Sequence, residues 1–102
     1  MPAPSKFVPC HVIQKIFNDG NYVEKTKTGE LTTEVQRSNH PSPPLSFEPF
    51  CTESQMVRYV NKRGKTVALV HQYLRPDGKI GASGKPDPKF LFHRGIVYKS
   101  RP

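Results

Sequence analysis

Four prolines fall within thirteen residues, in the stretch SNHPSPPLSFEPF from Ser38 to Phe50. Proline fixes φ and has no backbone donor, so this stretch is excluded from a helix interior and from a central strand. It is read as a connector at 38–50, with Leu45, Phe47 and Phe50 as apolar anchors, and the rest of the chain must fold on either side of it. The first nine residues, MPAPSKFVP, are also proline-rich and are expected to form an extended arm. A length of 102 residues allows one domain. Such a domain buries somewhat less than ~70 % of its unfolded surface, so its core is small. The hydrophobic fraction is 34 % and the mean hydropathy −0.63, but ten aromatics and clear Val/Leu runs keep the chain out of the disordered class.

Charge divides at the connector. Residues 1–51 hold five cations against five acids, whereas residues 52–102 hold eleven cations against three, so the whole excess of +8 lies in the second half. A charge concentrated in this way attracts polyanions. No stretch has the apolar length of a signal peptide or a membrane span, and a cytoplasmic protein with no membrane partner is expected. Cys10 and Cys51 form no CxxC pair and are read as free thiols.

Local patterns favour strands. Val12, Ile13, Ile16 and Phe17 have helical spacing and suggest one short helix, stopped at Asn18-Asp19-Gly20. Tyr22–Thr26 and Leu31–Gln36 are read as a hairpin around Lys27-Thr28-Gly29-Glu30. Met56–Val60 and Lys65–Leu74 read as two strands joined by Asn61-Lys62-Arg63-Gly64, the second apolar on both sides and therefore central. Phe90–Phe92 and Ile96–Tyr98 flank His93-Arg94-Gly95 as a closing hairpin. The expected fold is a β-rich α+β domain, a twisted antiparallel sheet of four to six strands with one or two short helices, its residues 52–102 forming a basic meander.

Between the last two hairpins runs HQYLRPDGKIGASGKPDPK, His71 to Lys89. Arg75-Pro76-Asp77-Gly78 has turn chemistry, leading to a short strand at Lys79–Ile80, and Gly78 and Gly84 are the expected positive-φ positions. Gly81, Ser83 and Gly84 form a candidate anion-binding loop with Lys79, Lys85 and Lys89 at its rim. The spacing is not that of a P-loop, because only two residues separate the glycines and Pro86 follows Lys85. This run resembles a stretch in small uncharacterised bacterial and phage proteins. The resemblance implies an origin in a bacterial, phage or mobile-element system and no particular activity.

Aromatics interleave with cations throughout the basic half: Arg58 with Tyr59, Tyr73 with Arg75, Phe90 and Phe92 with Arg94. Such interleaving is the platform chemistry of single-stranded nucleic-acid binding, and Tyr59 and Tyr73 are the expected stacking residues. Lys62, Arg63, Lys65, Lys79, Lys85 and Lys89 complete the expected phosphate-contacting set. Two other readings follow from the same residues. A metal-independent ribonuclease would use His71, Arg75 and His93, an imidazole moving the 2′-OH proton while cations stabilise the phosphorane. A protein-binding inhibitor or adaptor of a nucleic-acid-handling complex would present the same basic surface to an acidic protein partner. Cys10, His11, His40, Cys51, His71 and His93 are scattered singly rather than at metal-ligand spacing, so no metal and no cofactor is expected.

Overall fold

In the computed structural model, which describes residues 3–39, 52–81 and 86–100, the proline-rich arm contributes an edge strand, β1 (Ser5–Val8). Helices α1 (Cys10–Asp19) and α2 (Tyr22–Thr28) follow, then strands β2 (Thr32–Asn39), β3 (Glu53–Val60), β4 (Thr66–Leu74), β5 (Asp87–His93) and β6 (Ile96–Ser100). The strands form a six-stranded sheet in the order β1-β6-β5-β4-β3-β2, antiparallel except for the β1–β6 pair. The fold is the expected β-rich α+β class. β4 is central, between β3 and β5, as its two apolar sides require.

The two helices form one bent unit. α1 begins after Pro9, whose carbonyl accepts from the amides of Val12 and Ile13. Gly20 and Asn21 break it, and Asn21 adopts φ 55, a left-handed conformation that asparagine tolerates better than most residues. The predicted hairpin strand at Tyr22–Thr26 is therefore corrected to a helix. Its β-branched and aromatic residues favour extended backbone on their own. Docking overrides that preference: the Tyr22 ring stacks on Phe17 with centroids 5.5 Å apart. Gly29, expected to turn a hairpin, instead ends α2 at φ 86.

The helices cover one face of the sheet. Ile13 and Phe17 are fully buried against Val57, Tyr59, Ala68, Val70 and Leu91, each such side chain worth about 1.5–3 kcal/mol on burial. Register explains this set, since Val57 pairs with Val70, while Ala68 pairs with both Tyr59 and Leu91. Two irregularities adjust it. A register shift opposite Tyr59/Val60 brings Val67 into the core as well. A second, opposite Leu69/Val70, accommodates Pro88 within β5, as a bulge permits a residue without a donor. Of the 38–50 stretch, Ser38 and Asn39 belong to β2; its remaining residues lie outside the described ones, as do residues 82–85.

Candidate nucleic-acid interface

Among the described residues no helix covers the other face of the sheet. Along it the register builds a single row across all six strands: Glu34, Arg58, Leu69, Phe90, Lys99 and Phe7. Strand alternation puts Phe92 on the same side as Phe90, opposite the buried Leu91. The row is apolar and aromatic at its centre and cationic beside each aromatic. Phe7 is 59 % exposed, and the Lys99 ammonium lies 5.8 Å from its ring centroid. The Lys65 ammonium lies 3.7 Å from the centroid of Phe92. Arg58 is held by Glu34, whose Oε2 accepts from both Nε and Nη2, and by Thr66, whose Oγ1 accepts from Nη1 at 3.3 Å.

Toward one end of this face stands His71. Its Nε2 is 2.8 Å from Ser54 Oγ, and its ring meets Tyr73 edge-on at 4.8 Å. Asp87 is its register partner, and the Asp87 carboxylate takes the Lys89 ammonium at 2.8 Å. Burial pushes the His71 pKa below its ordinary value, with Lys89 acting the same way and Asp87 opposing, so the imidazole is neutral near pH 7.

His93 lies at the other end. Its Nδ1 is 2.7 Å from Tyr22 Oη, which also lies 3.3 Å from the Phe92 carbonyl. A phenol has one proton, so both contacts are satisfied together when His93 Nδ1 donates to Tyr22 and Tyr22 donates to Phe92. Burial lowers the His93 pKa, as do the Arg94 and Lys25 charges. Asp87, beside His71, and His93 are six positions apart on β5, roughly 20 Å at the rise of a strand. The two imidazoles proposed for a ribonuclease therefore do not meet.

No family model, no curated protein and no solved structure matches the chain. The surface must therefore be read from its own chemistry.

The predicted phosphate-contacting residues sort to two ends of the sheet. Lys62 and Arg63, in the β3–β4 turn, and Arg94, in the β5–β6 turn, lie with Lys65 at the His93 end. Arg75 and Lys79 belong to a turn at the opposite end, where the Arg75 amide donates to the Lys79 carbonyl at 2.9 Å. Lys89 stands beside His71. Tyr59 does not face a ligand: it is 3 % exposed beneath the helices, tilted against Phe17, and burial raises its hydroxyl to about 12. Tyr73 is on the open side. The Gly81 amide donates to the Tyr73 carbonyl at 2.7 Å, so it is not available to an anion. Ser83, Gly84 and Lys85 lie outside the described residues, as do His40 and Cys51. Among the described residues no three His, Cys, Asp or Glu side chains are grouped to hold a metal. No described helix is long and apolar enough to cross a membrane.

Sequence reading missed Phe7 and Lys99 as a pair. The signal for them was non-local, since a parallel pairing between the arm and the last strand has no local pattern to announce it.

Proposed function

We propose that this protein binds single-stranded nucleic acid on the open face of its sheet. The observation that carries the reading is the row Arg58–Leu69–Phe90–Lys99–Phe7, with Lys65 and Phe92 beside it, on a face that no described helix covers. Across the five strands that hold it, at ~4.8 Å per strand, this row spans about 19 Å, room for two or three bases on a sheet of this kind. Bases stack on the rings while phosphates meet the cations, and neither contact depends on sequence. The charge of the second half supports the same reading, since +8 on residues 52–102 is an electrostatic footprint for a polyanion. The separation of His71 from His93 favours binding over two-imidazole cleavage.

The test is direct competition. Single-stranded RNA or DNA should displace a labelled oligonucleotide from the protein far better than a duplex of the same sequence. A duplex that competes equally well would point to backbone charge alone and remove the stacking platform.

A further inference from the structure

At the His93 end of the sheet a pocket of about 440 Å³ opens between the helical unit and the β3–β4 turn. This is within the range that holds a small ligand. Its floor is apolar, made by Tyr22, Leu31, Val67 and Phe92, the first three buried. Its rim holds three cations from two separate elements: Lys25 from α2, and Lys62 and Arg63 from the turn. Glu30 is the one acid among them. Among the described residues none of the three cations is engaged in an ion pair.

The walls are positioned rather than loose. Asn61 Oδ1 accepts from the amides of Arg63 at 2.9 Å and Lys65 at 3.0 Å, and Gly64 closes the turn at φ 80, which fixes where Lys62 and Arg63 leave the backbone. Tyr22 is held on one side by Phe17 and at its hydroxyl by His93. Lys25 rests 5.2 Å from the Tyr22 ring centroid. An aromatic floor beneath a cationic rim fits a base joined to a phosphate.

We propose that this pocket receives the terminal nucleotide of a strand bearing a phosphomonoester end, its base against Tyr22 and Phe92 and its phosphate on Lys25, Lys62 and Arg63. The proposal rests on the nucleic-acid reading above. A terminal phosphomonoester carries about −1.5 to −2 near pH 7, more than an internal diester, so three cations lining one pocket would distinguish an end from the middle of a strand. Phe92 lines the pocket and has the Lys65 ammonium 3.7 Å from its ring centroid, so the pocket and the platform share this residue. Glu30 at the rim is an acceptor for an exocyclic amino group.

The test compares one short single-stranded oligonucleotide in three forms: 5′-phosphorylated, 3′-phosphorylated, and hydroxyl at both ends. One phosphorylated form should bind at least about tenfold more tightly than the hydroxyl form, the effect of a single charge-assisted hydrogen bond. Which form it is identifies the end recognised. Lys25→Ala and Arg63→Ala should each bring the ratio toward one. Equal binding of all three forms overturns the pocket and leaves the platform standing. A preference that survives both substitutions also overturns it, and failure of every form to bind overturns both readings.

Discussion

The ammonium of Lys65 rests 3.7 Å from the centre of the Phe92 ring, on the face of the sheet that the helices leave open. An exposed contact of this kind is worth about 0.5–1 kcal/mol, whereas stacking a base on a protein aromatic is worth about 1–3 kcal/mol. On the proposed reading, a base arriving at the ring would displace the lysine, which would turn to the phosphate. The same exchange is available at Lys99 and Phe7.

Removing the rings' π faces should therefore weaken binding without unfolding the protein. Phe90→Leu and Phe92→Leu keep most of the apolar volume and lose the stacking surface. Each should cost about 1 kcal/mol or more in affinity for a single strand, measured by fluorescence anisotropy. A Tyr59→Phe variant, altering a residue buried under the helices, should leave affinity unchanged.

Two glycines should respond differently to alanine. Gly78 has φ 84 with open space around it, so alanine there pays only the left-handed strain, about 1 kcal/mol. Gly20 has ordinary φ, but an added Cβ would lie 2.5 Å from Tyr22 Cε2 and 3.2 Å from the Ile16 carbonyl. Gly20→Ala must displace the ring that stacks on Phe17, an overpacking cost of about 1–3 kcal/mol. Thermal melts should rank the parent above Gly78→Ala, and Gly78→Ala at or above Gly20→Ala.

Stability should fall on mild acidification. His71 and His93 both have pKa values below the ordinary 6.5, chiefly through burial. Well above 6.5 both folded and unfolded chains hold these imidazoles neutral. As pH drops through that value the unfolded chain takes up protons that the folded one resists, which favours unfolding. Melting temperature should therefore decline from about pH 7.5 to about pH 5.5, before carboxylates dominate. A His71→Gln, His93→Asn double variant should show a flatter decline over the same interval, and an equally steep one would assign the effect elsewhere.

Much of the sheet was legible because its signals are local. Alternation and turn residues located the strands from Met56 onward, and Arg94-Gly95 turns with φ 50 and 80, as a two-residue hairpin demands. Gly78 has the positive φ that its Pro-Asp-Gly context implied. What was not legible depends on partners distant in sequence. Tyr22–Thr28 is helical because Tyr22 folds back on Phe17 across the break at Gly20-Asn21 and reaches His93, 71 positions away, which no window of neighbours contains. The arm becomes β1 only because β6 offers an edge to it. Tyr59 and Phe90 are both aromatics next to cations, and only register shows that one is buried and the other faces out.

The most direct test of the nucleic-acid reading is the salt dependence of single-strand binding, followed by anisotropy. Neutralising about three phosphates should make log affinity fall with log salt at a slope of about −2, and Lys65→Glu with Lys99→Glu should flatten that slope while weakening binding. An oligonucleotide that fails to bind even at low salt, or binds with no dependence on salt, would contradict the account.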